Sequence, residues 1–350
     1  MLSGTLVVVL CLVSQAGGAS LDPVTIGRDL RILQPKRDPY VTLPAWLAET
    51  PRPPAASASR MTEIGRAWAT LWADIQPADG AWTHPIISPG AHYLRGIWLW
   101  DTGFHVLGLL HGGPKARQLA LWQIEVMLSG QHPTGRLPRE IHRDGPKFIG
   151  EYGIQAPGIL TLALNRLFDT ATTVSERETL RKALESSYPK LVRNHEWFVG
   201  HLDQGRGLFR WQGLDSGWDN SPRWDTGTKE ALDLDCWLYL DRVELAALAR
   251  LLGKQADSDR WSKLAQELKG LIQQHHWNEE LGAYNDTLPD GTVGSVITPV
   301  IFWPLWTGVA TPEQAKRVLV HLQDPEQLGT PWPLPSAGKA QKGYDSRAYW

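Results

Sequence analysis

The chain has 350 residues, with 35 Lys plus Arg against 37 Asp plus Glu and a net charge of -2. So even a balance gives no electrostatic reason to expect nucleic acid or an anionic membrane surface as partner. The length is enough to bury a large core, as one big domain or two ordinary ones. Tryptophan is the unusual component, 18 Trp against 6 Phe. Indole offers a flat apolar face and one N–H donor, which suits stacking on the C–H face of a sugar ring, while roughly half of these rings are expected to fill a helical core.

The start, MLSGTLVVVLCLVSQAGGAS, holds an apolar run from Leu6 to Val13 followed by small residues. Gly17 and Ala19 sit where a signal peptidase reads small side chains, so residues 1–19 are expected to be a signal peptide and the protein to be exported. No Lys or Arg precedes the run, a departure from the usual pattern. The run is too short to span a bilayer, so no membrane anchor is expected. Removal of Cys11 leaves Cys236 alone, without an intrachain disulfide.

Residues 20–58 are proline-rich, end in TPRPPAASAS, and read as an irregular arm. Helical spacing follows. Ile64, Trp68, Leu71, Trp72 and Ile75 mark one face. Leu119, Trp122 and Val126 mark another after the Gly112–Gly113–Pro114 break, and residues 156–168 make a third helix. Ser175–Glu178 reads as a capping box opening a helix towards Tyr188. Residues 229–252 form a long helix stopped by Gly253. Trp261, Leu264, Leu268, Leu271 and Ile272 define the next helix, and Thr311–Gln314 is a second capping box.

Two helices end alike: His195-Glu-Trp197 leads to Gly207-Leu-Phe209, and His276-Trp277 leads to Gly282-Ala-Tyr284. Strand-like alternation is scarce. The pattern predicts an all-α fold, an (α/α)6-type toroid or barrel of helical hairpins over residues 59–350, with one set of long loops as the site.

Four loops concentrate Trp, Asp, Arg and Gly: RGIWLWDTGFH at 95–105, GRLPREIHR at 135–143, GLDSGWDNSPRWD at 213–225, and residues 330–350. Carboxylates flanked by indoles and arginines fit glycoside hydrolysis. That reaction needs one carboxylic acid to protonate the leaving oxygen and a second carboxyl to activate water or attack the sugar. An aromatic ring against an aspartate raises its pKa, as a general acid requires. Spacing alone does not identify the acid.

In order, these loops resemble glycoside hydrolase family 63, which includes processing α-glucosidase I, bacterial α-glucosidases and mannosylglycerate hydrolases. More distantly they resemble the inverting trehalases. The resemblance rests on Trp100-Asp101-Thr102-Gly103-Phe104-His105, on Pro138-Arg139-Glu140, and on Ser216-Gly217-Trp218-Asp219-Asn220-Ser221-Pro222-Arg223. It continues in Asp233 to Trp237, Leu328-Gly329-Thr330-Pro331 and Tyr349-Trp350.

It implies that Asp219 is the general acid and that Asp101 helps bind sugar in the cleavage subsite. Trp98, Trp100, Arg139, Glu140, Trp218, Arg223 and Trp224 are the further substrate-binding candidates. The family's motif runs on into Arg-Gly-Pro-x-Trp and a later Glu base. The chain ends at Trp350, so the expectation is a C-terminally truncated barrel that lacks the base and its last helices.

Plainer roles stay open beside these. Asp219 could cap a helix, Asp101 could close an Asx-turn, and Arg139–Glu140 could be a simple ion pair. Arg223 could bind a hydroxyl or orient Asp219, while Asp215 and Asp225 read as loop stabilisers. His275 and His276, adjacent on a helix, face different directions, which disfavours a zinc site. The expected function is an exported, inverting hydrolase of an α-glucosidic or α-mannosidic bond, needing neither metal nor organic cofactor. The alternative is a carbohydrate-binding pseudoenzyme on the same fold. A polysaccharide lyase fits neither the near-neutral charge nor the loops.

Overall fold

A computed structural model describes residues 40–53, 57–90, 96–148, 156–211, 213–331 and 334–346. The expected signal peptide at 1–19 lies outside them, as does the arm up to residue 39. The chain divides into two compact units. One takes the residues up to Gly130 with Glu140–Lys147 and Arg166–Leu180; the other takes Gln131–Arg139, Phe148–Asn165 and the chain from Arg181.

The first unit opens with α1 (Leu43–Leu47) and α2 (Ala58–Ala73). The arm is therefore not irregular throughout, because Trp46 on α1 is fully buried and stacks on Trp68 of α2 at 4.9 Å between centroids. Each indole N–H donates to the other's backbone carbonyl, at 2.7 and 3.0 Å, so neither donor is buried unpaired. Two-residue strands β1 (Ile75–Gln76) and β2 (Ile86–Ile87) pair next. A three-stranded antiparallel sheet joins β3 (Gly96–Trp98), β4 (Glu140–His142) and β5 (Gly145–Lys147). Helix α3 (Leu99–Leu109) packs on α4 (Pro114–Ser129). Proline at the first position of α4 costs nothing, since that N–H has no helical partner. Gly112 is required by close approach, because a Cβ there would lie 2.5 Å from the Trp68 ring.

Helix α5 (Ile159–Asp169) begins in the second unit and ends in the first. Helix α6 (Val174–Leu202) begins ahead of the expected capping box and runs through Pro189, well past Tyr188. The box that forms is Thr173–Glu176. Thr173 Oγ1 accepts the Glu176 N–H at 3.1 Å, and Glu176 Oε2 accepts the Thr173 N–H at 3.1 Å. The Thr172 N–H and hydroxyl also donate to that carboxylate, each at 2.9 Å, so this register outcompetes Ser175–Glu178. These bonds hold the Glu176 carboxyl down at about 2.

In the second unit α7 (Gly213–Ser216) is a single turn, and α8 (Leu232–Leu251) and α9 (Gln255–His275) pack side by side. Gly253, at φ +72°, turns the chain between them in the left-handed region where glycine is unstrained. The two alike endings fold alike. After α6 the chain bridges Asp203 to Phe209, and after α9 the strands β6 (Trp277–Asn278) and β7 (Ala283–Tyr284) pair. The histidine of each ending also finds an aspartate of α8: His195 meets Asp241 and His276 meets Asp235, both at 2.8 Å and fully buried. Helices α10 (Trp303–Thr307) and α11 (Pro312–Leu319) follow, α11 with the expected Thr311–Gln314 box.

The architecture is all-α in character, its strands no longer than three residues among the described residues. No described helix is long and apolar enough to cross a membrane.

Candidate active site

The expected site residues divide between the two units. Trp98, Trp100, Asp101 and Glu140 belong to the first, and Arg139, Trp218, Asp219, Arg223 and Trp224 to the second.

In the first unit, the β3–β4 ladder sets Trp98 opposite Glu140 and Gly96 opposite His142. A Cβ at Gly96 would lie 2.7 Å from the His142 ring, so the strand needs glycine there. Period-2 alternation places Glu140 and His142 on one face, and Glu140 Oε2 meets His142 Nε2 at 2.7 Å. Glu140 is thus a buried carboxylate with a histidine partner. Arg139, the residue before β4 and part of the second unit, is half-buried.

Asp101 sits in the first turn of α3. A helix N-terminus favours the carboxylate, yet burial outweighs this and its own backbone N–H, and pushes the carboxyl up to about 6. His105 follows one turn later on the same face. Burial pushes His105 down to about 4, so it is neutral at pH 7 and offers Asp101 no counter-charge. Trp100 meets Phe104 edge-on at 5.5 Å.

In the second unit, the GLDSGWDNSPRWD loop is a knot of short-range bonds. Ser216 Oγ donates to the Gly213 carbonyl at 2.8 Å and accepts the Trp218 N–H at 3.0 Å. Gly217, at φ +78°, supplies the turn. The Trp218 carbonyl accepts both the Ser221 N–H at 3.1 Å and the Trp224 indole N–H at 2.7 Å. The Asp219 carbonyl crowds Gly213, where a Cβ would lie 2.4 Å from it. Asp219 therefore stands at the tip of a turn pinned from both sides, with its side chain exposed.

Arg223 does not share that exposure. It is 2 % exposed; Nη2 donates to Asp233 Oδ1 at 2.5 Å, Nη1 faces Asp286 Oδ1 at 3.5 Å, and the guanidinium lies 4.0 Å from the Trp224 ring centroid. Burial beside two carboxylates fits the orienting role open to it, while Nε and Nη1 have no hydrogen-bond partner among the described residues. Trp224 is half-buried, with Arg223 on one face and its N–H taken by the Trp218 carbonyl. Both residues hold the Asp219 turn from behind.

Asp215 is buried, as a loop stabiliser would be, while Asp225 is exposed. His276 is engaged through both ring nitrogens, with Asp235 and with the Asn285 carbonyl, which places it in the core rather than at a metal. Among the described residues no group of three potential ligands could hold a metal ion.

Sequence reasoning missed the parts that act from a distance. Asp233 stood inside a quoted block without a role, and Asp286 is 63 positions from Arg223. Trp303 touches Trp218 at 6.4 Å in a T-shaped pair and joins Trp237 and Trp306 in one aromatic cluster. The spacing of Trp303 and Trp306 was the only available signal.

Helices as scaffold, with an exposed aspartate on a turn beside Trp218 and Trp224, fit a helical glycoside hydrolase. The chain belongs to the mannosylglycerate hydrolase MGH1-like glycoside hydrolase family, whose domain matches residues 94–350. It resembles the periplasmic trehalase of Salmonella newport, 24 % identical over 296 residues that cover 70 % of this chain and 51 % of that protein. The chain thus spans about half the length of the curated relatives it matches.

Its fold is shared with a glycoside hydrolase family 63 mannosylglycerate hydrolase from Thermus thermophilus, solved with glucose. The TM-score is 0.66 at 20 % identity, covering 81 % of each chain. Neutral trehalase from Saccharomyces cerevisiae matches at TM-score 0.58 and 18 % identity, covering 75 % of this chain and 59 % of that one.

Proposed function

We propose that the protein is an exported, inverting glycosidase that cleaves an α-glucosidic or α-mannosidic bond in a small glycoside or oligosaccharide. Asp219 is its general acid, protonating the leaving oxygen. A second carboxyl activates water from the opposite face, and the two lie roughly 6.5–9.5 Å apart during the reaction. Asp101 accepts hydrogen bonds from the sugar, with Trp98, Trp100, Arg139 and Glu140 as the remaining sugar contacts of their loops. Trp218 supplies an aromatic face beside the acid.

The observation that carries this reading is the Asp219 turn. An exposed carboxyl is held on a backbone locked by Ser216, Gly213, Trp224 and Arg223, which is the rigidity that proton transfer to a positioned substrate needs. The relatives add support, being named as hydrolases of mannosylglycerate and of trehalose. Export is supported by the periplasmic location in the name of the trehalase relatives.

The test is hydrolysis of mannosylglycerate, glucosylglycerate, trehalose and α-linked gluco-disaccharides by the purified protein, with the first anomer released read by NMR. Release of the β-anomer from one of them is the expected result. Release of the α-anomer without the β-anomer, or no turnover of any by a form that carries the second carboxyl, overturns the inverting hydrolase. Trehalose gives one glucose of each anomer on inversion, because the leaving sugar keeps its α configuration. A carbohydrate-binding protein on the same fold is the second reading, favoured by the solvent exposure of Asp219 beside the half-buried Trp218, whose ring would suffice for binding. Sugar binding without turnover would select it.

A further inference from the structure

At least eight indole N–H groups among the described residues donate to a protein acceptor, those of Trp46, Trp68, Trp72, Trp82, Trp211, Trp224, Trp261 and Trp277 among them. Two buried ones have no acceptor among the described residues, Trp218 Nε1 and Trp303 Nε1. These two rings touch each other, and one of them adjoins Asp219. Ser221 Oγ, two residues beyond Asp219 and 8 % exposed as a residue, is a third buried donor without a partner among the described residues. Leaving a buried donor unmet costs free energy, so such groups are paired nearly everywhere in folded proteins. These three, with Arg223 Nε and Nη1 likewise without a hydrogen-bond partner among the described residues, cluster around one turn and mark a place built for acceptors that come from outside the fold.

The geometry says which acceptors fit. Trp218 and Trp303 are inclined by 74° with centroids 6.4 Å apart. One indole can therefore lie along an apolar face while the edge of the other meets the rim of the same molecule. A pyranose has that shape, with a C–H face for stacking and hydroxyl oxygens around its edge. Helix α10 and the packing of Trp303 on Trp237 and Trp306 hold the ring without using its N–H.

We propose that Trp303 is a sugar-contacting residue that donates its indole N–H to a saccharide oxygen in concert with Trp218 and Ser221. The proposal rests on the Asp219 loop being the sugar site. It adds a determinant from α10, about 85 residues along the chain from that loop.

The test is calorimetric titration of the wild-type protein and of Trp303→Phe with mannose, glucose and trehalose. Phenylalanine keeps an aromatic ring but removes the donor, so Kd should rise about tenfold, the change that a lost hydrogen bond of ordinary strength produces. Independently of any variant, the ¹⁵N-indole spectrum of the wild-type protein should show two buried N–H resonances moving on sugar addition while those bonded within the protein stay. Sugar binding with an unchanged Kd in Trp303→Phe, or with no buried indole resonance moving, overturns the role of Trp303 and leaves the sugar site standing. No binding of any of the three sugars by the wild type overturns both.

Discussion

Asp235 ties the ends of two helices together through His276. Its Oδ2 lies 2.8 Å from His276 Nε2, while its Oδ1 accepts the Phe209 N–H at 2.9 Å. One carboxylate at the start of α8 thus anchors both the turn after α6 and the turn after α9. His276 Nδ1 faces the Asn285 carbonyl at 2.7 Å, so both ring nitrogens meet acceptors and the cationic ring satisfies them. Burial pushes the His276 pKa down, but the Asp235 carboxylate and the Asn285 carbonyl more than offset this and raise it above 6.5.

A raised histidine contributes stability that is complete below pH 6.5 and is lost as pH rises through the folded value. Thermal melting should accordingly fall on the alkaline side of pH 6.5. Asp235→Asn should flatten that slope. His276→Ala should cost about 3–5 kcal/mol by leaving Asp235 buried and unpaired. Denaturant melts at pH 6 and pH 9 read all three; a wild-type midpoint that rises across this range, with Asp235→Asn rising equally, would refute the cationic pair.

Asp101 carries a second pH signature, of opposite use. Its carboxyl is raised from 3.8 to about 6 by burial, so the native protein holds a proton that the unfolded chain would release. Its effect on stability is neutral below about pH 3.8, turns unfavourable as pH rises to about 6, and is constant above. Asp101→Asn should therefore gain roughly 1–3 kcal/mol of stability at neutral pH while losing sugar affinity. Wild-type affinity should itself weaken below about pH 6, as the carboxylate acceptor is protonated. Melting and titration of both forms at pH 5 and pH 7.5 test this; affinity that is flat across pH and unchanged in the variant removes Asp101 from the sugar site.

The turn that carries Asp219 depends on two residues behind it. Gly213→Ala would push a methyl to 2.4 Å from the Asp219 carbonyl. The turn must move, at a cost of roughly tenfold to a hundredfold in turnover with little change in melting of the helical scaffold. Arg223→Met behaves differently, leaving Asp233 and Asp286 buried without their cation, and should cost about 3–5 kcal/mol of global stability. Urea melts and turnover on the same preparations separate the two cases. A Gly213→Ala form with full turnover would show that the turn is not held as described.

How much of this was legible in the sequence depends on the range of the interaction. Helices with a marked apolar face, such as the one bearing Trp261, Leu268 and Ile272, and the Thr311 capping box were readable because they are local patterns. The Thr173–Glu176 box was misregistered by two residues, since Ser175 and Thr173 both offer a hydroxyl and only Thr172 tips the choice. Docking of Trp46 on Trp68 turned part of an apparently irregular arm into α1, and no local signal announces a partner 22 residues away. The family blocks named Asp219 and Asp101. They left the burial of Arg223 unread, because Asp286 reaches Arg223 only through the fold.

The general-acid role of Asp219 is the central claim, and leaving-group dependence tests it most directly. Wild type and Asp219→Asn would be compared on an ordinary α-glycoside that the wild type hydrolyses and on the matching α-glycosyl fluoride, whose departing fluoride has little need of a proton. Loss of general-acid catalysis should slow the ordinary glycoside by about 10²–10⁴-fold and leave the fluoride nearly untouched. Equal losses on both substrates, or full turnover of the ordinary glycoside by Asp219→Asn, would contradict the assignment.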